Sequence, residues 1–188
     1  MFQKKFEIRN FTGFSFTSKE IIFTYVHLNI FIYKGRNEMT SRKLVENFLS
    51  EKSIAVVGVS RSDKKFGYTV YKELKSKGYN VYPVNPNTDY IDKEKCYPDL
   101  LSLPEKVTAA LLVVPPSATV QTLKDAYTEG IKKIWMQQGS ESEEAIRYCN
   151  EKGIEVIHNE CILMFAEPTA FFHRAHRWFN GVMGKLPK

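Results

Sequence analysis

The sequence predicts an α/β protein built around a mainly parallel sheet of five or six strands. Three observations point there. Short continuous apolar runs alternate with amphipathic stretches of ten or more residues. The first apolar run breaks into a glycine-bounded turn. Glycines follow the ends of the helical stretches, where a left-handed cap is needed. With 188 residues the chain is long enough for one such domain with extensions.

Ser41 to Ser50 reads as a short amphipathic helix with Leu44, Val45, Phe48 and Leu49 on one face. The run Ser53 to Val59 is apolar throughout and ends at Gly58-Val59, the pattern of a strand buried on both faces. Gly67 to Lys77 is the next helix, with Gly78 placed as its C-cap. Val81 to Val84 is a second strand whose Pro83 implies an irregular or lightly paired position. Asn85-Pro86-Asn87 is a loop, and Asp92 to Lys95 a charged turn. Ala109 to Val114 is a buried strand stopped by Pro115-Pro116, and Ser117 to Glu129 a helix closed by Gly130. Ile131 to Met136 is a strand, Glu141 to Lys152 a helix closed by Gly153, and Ile154 to Ile157 the last strand. Strands alternating with helices imply βαβ units, and right-handed crossovers then give a doubly wound, Rossmann-like sheet.

The ends of the chain differ from this core. In the first 38 residues, Phe, Ile, Lys, Asn and Tyr account for 21 positions. The apolar run Ile21 to Tyr33 is 13 residues long and broken by His27 and Asn29, short of the roughly 20 that a membrane span needs. No signal-peptide pattern accompanies it. Two readings stay open for residues 1–38: a strand-rich extension, or upstream sequence with Met39 as the true start. Residues 39–188 form the domain with its tail. From Pro168 to Lys188 the tail reads as a basic, aromatic-rich helix that docks on the domain or on a second copy of the chain.

The net charge is +6. Basic residues are spread along the chain, with no zinc-finger spacing and no aromatic–basic RNA-binding segment. That speaks against nucleic acid, and a small polyanionic ligand accounts for the charge as well. The cysteines are Cys96, Cys149 and Cys161, an odd number without a close pair. They suit a reducing, cytoplasmic setting in which thiols serve as small apolar side chains.

The segment Gly58 to Gly67 joins the first strand to the first helix of the sheet. In open α/β sheets, ligands bind outside the carboxyl ends of the strands. Gly58 permits close backbone approach, and Gly67 opens a helix whose free N–H groups favour an anion. Arg61, Lys64 and Lys65 add charge, and Ser60 and Ser62 add hydroxyls. The match to G-x-G-x-x-G is poor, and an ordinary loop with solvated charges is the competing reading. The second strand ends Val84-Asn85-Pro86-Asn87, without the carboxylate that usually holds the ribose of NAD. The basic residues instead suit a ligand with an extra phosphate, as NADP and coenzyme A both carry.

Four segments extend the pattern. They are Val56-Val57-Gly58-Val59-Ser60 with Lys65-Phe66-Gly67; Val81-Tyr82-Pro83-Val84-Asn85-Pro86; Val113-Val114-Pro115-Pro116; and Trp135-Met136-Gln137-Gln138-Gly139 followed by His158 to Phe165. In this order and spacing the chain, from about Leu44 to Pro187, resembles the small stand-alone CoA-binding proteins. Their domain is similar to the N-terminal domain of the succinyl-CoA synthetase alpha subunit and of nucleoside-diphosphate-forming acyl-CoA ligases. The resemblance implies coenzyme A or an acyl-CoA as ligand. It places Gly58, Ser60, Lys65 and Gly67 at the phosphates, with Arg61 and Phe66 in the same loop. Asn85 and Pro86 would flank the nucleotide, Val114 and Pro115 would line the adenine or pantetheine path, and Gln138 and Gly139 would sit near the pantetheine arm. The synthetases carry a phosphorylated histidine in a second domain and need a partner subunit. This chain has neither, so the resemblance implies binding without ligase chemistry of its own. The alternatives are an NAD(P)-binding oxidoreductase and a nucleotide-binding regulator.

Other conspicuous residues have plainer readings. Cys161 lies close to the Asn-Cys-Pro segment of the synthetases, where a reactive thiol could meet coenzyme A, but a packing role suits it better. His173 and His176 share a helical face without a third ligand and beside arginines, which disfavours a metal. Glu141, Glu143 and Glu144 read as first-turn carboxylates complementing a helix dipole. No catalytic set and no metal site are expected.

Overall fold

The computed structural model describes residues 41–166. They lie within the second of two units into which the chain divides, Met1–Glu38 and Met39–Lys188. His173, His176 and the aromatic tail fall outside the described residues.

Helix α1 (Arg42–Leu49) leads into β1 (Ser53–Val57), α2 (Phe66–Ser76) and β2 (Asn80–Val84). A small hairpin follows, β3 (Tyr90–Ile91) and β4 (Glu94–Lys95). Then come β5 (Ala109–Leu112), α3 (Pro116–Thr128), β6 (Lys133–Gln137), α4 (Glu143–Lys152), β7 (Glu155–Glu160) and a 3₁₀ turn, Ile162–Met164. The main sheet has five parallel strands in the order β2-β1-β5-β6-β7. The chain therefore reverses its direction of travel across the sheet between β1 and β5.

Every central strand is apolar at consecutive positions because both of its faces are covered. Ile54, Val56, Ala109, Leu111, Trp135 and Ile157 pack on one face with Val45 and Phe48 of α1 and Val70, Tyr71 and Leu74 of α2. Ala55, Val57, Ala110, Leu112, Ile134 and Met136 pack on the other with Leu123 and Ala126 of α3 and Ala145 and Cys149 of α4. The sheet is thus doubly wound. Trp135 is fully buried, edge-on to Phe48 with ring centroids 5.4 Å apart, and its indole N–H donates to the Glu160 carbonyl at 3.0 Å.

Several elements differ from the sequence expectation: β5 ends at Leu112 instead of Val114, β7 runs Glu155–Glu160 instead of ending at Ile157, and three further differences have clear causes. Pro83 sits on an edge strand, where the missing N–H is tolerated, yet that edge is covered. The Tyr97 N–H donates to the Pro83 carbonyl at 2.9 Å, and the Asn85 N–H donates to the Tyr97 carbonyl at 2.8 Å. Asp92 to Lys95 is the tip and return strand of a hairpin instead of a plain charged turn. Asp92 and Lys93 adopt φ of 48° and 69° without glycine. Side chains of α2 hold them there: Tyr68 and Lys72 bond Asp92, while Tyr71 and Lys75 bond Glu94. Strand β6 starts two residues later than expected, because Ile131 is a buried plug whose N–H closes back on Ala126.

Among the described residues no helix is long and apolar enough to cross a membrane.

Two outcomes follow from this packing. Leu111→Ala, in a fully buried central strand, should cost about 2–5 kcal/mol in chemical denaturation. The second concerns acid. Hydrogen bonds from Lys72, then Tyr68, hold Asp92 below its usual range; Lys75, then Tyr71, do the same for Glu94; and Lys133, then Thr108, for Glu51. A depressed carboxyl contributes stability that is present above its ordinary value of 3.8 (Asp) or 4.5 (Glu) and is lost as the pH falls through the folded-state value. The thermal midpoint should drop below pH 4.5, and Glu94→Gln should shallow that drop.

Candidate functional site

The carboxyl ends of the strands are organised around Gly58. Its φ is 94°, and its N–H donates to the Val84 carbonyl at 2.9 Å. A Cβ there would stand 2.1 Å from the Val113 carbonyl oxygen and 3.1 Å from the Val114 side chain. A Cβ on Gly67 would stand 2.4 Å from the Gly58 carbonyl oxygen. The end of β1 is therefore pressed between the segment after β5 and the first turn of α2. Only two residues without side chains allow it.

That compression brings two helix N-termini to the switch point of the sheet. No side chain caps α2 at Lys65, and none caps α3 at Pro115, where Pro116 opens the helix. Helices α1 and α4, by contrast, are capped by the hydroxyls of Ser41 and Ser142. The uncapped first turns leave orphan N–H groups and positive dipole ends. Arg61, Lys64 and Lys65 are exposed around them, and Phe66 remains 41% exposed beside Gly67. The loop is shaped from within: the Ser62 N–H donates to Ser60 Oγ at 3.1 Å, and the Lys65 N–H to the Ser62 carbonyl at 3.1 Å.

The other residues singled out from sequence line the same edge. Asn85 follows β2, and its side chain is a strut: Nδ2 donates to the Val59 carbonyl at 2.6 Å, while Oδ1 accepts from the Asn87 N–H at 2.8 Å. Pro86 and Pro115 are exposed beside it and after β5, and Val114 is half-buried. Gln138 and Gly139 are exposed after β6. The Gly139 N–H is taken by the Glu141 carboxylate at 2.8 Å, so Glu141 caps a loop instead of a helix; α4 starts later, with Glu143 and Glu144 in its first turn.

Three residues at this edge are not assigned a role from the sequence. Thr119, fully buried on α3, donates to the Ser140 carbonyl at 2.6 Å and ties the β5 and β6 loops together. Buried Gln137 accepts the Ile162 N–H at 3.2 Å. Glu160, at the end of β7, is only 8% exposed, and burial pushes its carboxyl up to about 7.

Of the three cysteines, Cys149 is buried and pushed up to about 12 by desolvation, and burial raises Cys96 as well. Both behave as apolar packing. Among the described residues no cluster of His, Cys, Asp or Glu could hold a metal. A recess of about 250 Å³ between Leu100, Leu103, Val107 and Ile131 lies at the opposite, amino-terminal edge of the sheet.

An open parallel sheet, doubly wound, with two uncapped helix ends beside its switch point defines a Rossmann-like α/β domain. The comparison with known proteins narrows the class: residues 52–167 match the family of the CoA binding domain, and the chain belongs to that family. It is 38% identical over 106 residues to the ADP-forming acetate–CoA ligase II of Archaeoglobus fulgidus, spanning 55% of this chain and 15% of that enzyme. A conserved hypothetical protein of Pyrococcus furiosus is 43% identical, with a TM-score of 0.57 over 59% of this chain and 96% of its own. A hypothetical protein of Pyrococcus horikoshii is 32% identical, with a TM-score of 0.64 over 68% of this chain and 90% of its own.

The glycine contacts have a direct test. Gly58→Ala combines a positive φ with a 2.1 Å clash against backbone and should cost more than about 2 kcal/mol. Gly78→Ala has a similar φ of 87° but open space around it, and should cost only about 1 kcal/mol. Urea denaturation of the two variants separates steric pressure from backbone preference.

Proposed function

We propose that this chain binds coenzyme A, or an acyl-CoA, through the loop from Gly58 to Gly67, and performs no ligase chemistry of its own. The observation that carries the reading is the meeting of two uncapped helix ends at the β1/β5 switch point, forced by the Gly58–Val113 and Gly58–Gly67 contacts. The phosphates sit over these N–H groups, with Ser60, Arg61 and Lys65 around them. Phe66 offers an exposed ring at the mouth. Asn85 holds the loop by its Val59 carbonyl, so its part is to keep the phosphate loop in shape while Pro86 flanks the nucleotide. Val114 and Pro115, then Gln138 and Gly139, carry the path of the arm along the strand ends. The Asn85 side chain, where dinucleotide sites usually place an acid, favours coenzyme A over NAD.

The reading stops at binding. The ligase activity named for the Archaeoglobus relative belongs to a protein of which this chain spans 15%.

A thermal-shift panel of coenzyme A, acetyl-CoA, NAD, NADP and ATP tests the ligand. A ligand at a hundred times its Kd should add about 2.7 kcal/mol to the native state. Coenzyme A is expected to do so; stabilisation by NAD without coenzyme A would overturn the reading. Lys65→Glu should weaken coenzyme A at least about tenfold, a change of about 1.4 kcal/mol, with an unaltered circular dichroism spectrum. Unchanged affinity would remove the loop from the site.

A further inference from the structure

Glu160 stands apart from the other acidic side chains. Strand β7 carries one residue more than β6 in this stretch: Trp135 pairs with Ile157, but Gln137 pairs with Glu160. The extra residue is accommodated by Asn159 in the left-handed region, at φ 62°. Bulges of this kind re-aim a side chain at the end of a strand. Here the result is a carboxyl in a residue 8% exposed.

Its backbone is fully engaged, with the carbonyl accepting from Trp135 Nε1 at 3.0 Å and from the Gln138 N–H at 3.3 Å. Its carboxyl is not. Burial alone sets its protonation, and among the described residues no N–H, O–H or cation bonds it. Among the described residues every side-chain oxygen or nitrogen sealed from solvent has a partner, so the Glu160 carboxyl is not fully sealed. An unpartnered carboxyl held out of water is costly unless something arrives to satisfy it.

We propose that Glu160 accepts a hydrogen bond from the uncharged arm of the ligand, and so reads the end of coenzyme A remote from its phosphates. This rests on the reading given under Proposed function. The distance fits: β1 and β7 are three strand spacings apart, roughly 14 Å, a span that the extended pantetheine arm covers. The charge fits as well. The phosphate loop carries Arg61, Lys64 and Lys65, whereas the β6–β7 end carries Glu141, Glu143, Glu144 and Glu160. A ligand with an anionic head and a neutral tail of amide N–H groups and a thiol is oriented by that gradient. As a carboxylate Glu160 accepts an N–H or S–H, and the carbonyl oxygen of its protonated form accepts one as well.

The test compares coenzyme A, acetyl-CoA and the nucleotide half of coenzyme A, which lacks the arm, by calorimetry on the wild type, Glu160→Leu and Glu160→Gln. Glu160→Leu should lose about tenfold or more in affinity for coenzyme A and nothing for the armless nucleotide, with a thermal midpoint no lower than that of the wild type. Glu160→Gln keeps an acceptor oxygen and should recover most of the affinity. A loss shared by acetyl-CoA assigns the donor to an arm amide; a loss confined to coenzyme A assigns it to the thiol. Equal losses for coenzyme A and the armless nucleotide, no loss for either, or no recovery in Glu160→Gln would overturn the assignment of Glu160 while leaving the phosphate site intact. Failure of the wild type to bind either coenzyme A or its nucleotide half would instead overturn the underlying reading.

Discussion

The close approach of three backbone segments at Gly58 is the constraint on which the rest of this site depends. Strand β1 must end against the Val113 carbonyl on one side and against the opening turn of α2 on the other, at separations that leave no room for a methyl group. Backbone hydrogen bonds fix the same point from the sheet: Gly58 N–H to Val84 on the β2 side, and Val113 N–H to the Val57 carbonyl at 2.8 Å on the β5 side. The rigidity is useful because helix dipoles act over short range, within the first turn. The two helix ends flank one crevice, and glycine is the residue that lets backbone hold β1 against both neighbours.

The same economy governs the loops. Asn85 and Thr119 spend their side-chain hydrogen bonds on carbonyls of neighbouring loops, Val59 and Ser140. The edge is therefore one connected rim, braced by side chains that do not themselves carry charge. The basic residues of the Gly58–Gly67 loop stay exposed, while lysines further along α2 are engaged in clamping the β3–β4 hairpin. Lysines seven to eleven positions apart thus differ in whether a carboxylate stands opposite.

Much of this could be read from residue order. The buried strands showed as unbroken apolar runs because both faces are covered, and Gly153 marked the end of α4 by the left-handed cap it does adopt, at φ 65°. The glycine pair of the phosphate loop was visible as well. What stayed hidden depends on contacts distant in sequence. The β3–β4 hairpin is held by α2 residues about twenty positions away, and its Asp92-Lys93 tip lacks the glycine or asparagine that advertises such a turn. The brace made by Thr119 and the bulge before Glu160 depend equally on tertiary register. The resemblance assigns Asn85 to the flank of the nucleotide, and its side chain also braces the loop through the Val59 carbonyl.

The carboxylates divide along the same lines. Glu51, Asp92 and Glu94 are each paired with a lysine and a hydroxyl, and their pKa values move down, as expected of groups whose charge is stabilised by the fold. Glu160 moves up, because burial desolvates it and no donor among the described residues bonds it. Its contribution runs the other way with pH: present below 4.5 and gone above about 7. Among the described residues the other perturbed carboxylates are each paired, and this one is not. An unpaired acid beside a ligand-binding edge is the kind of local conflict that native structures keep where a ligand resolves it. The bulge at Asn159 makes the case stronger, since it adds backbone strain to place a side chain whose burial the fold alone does not reward.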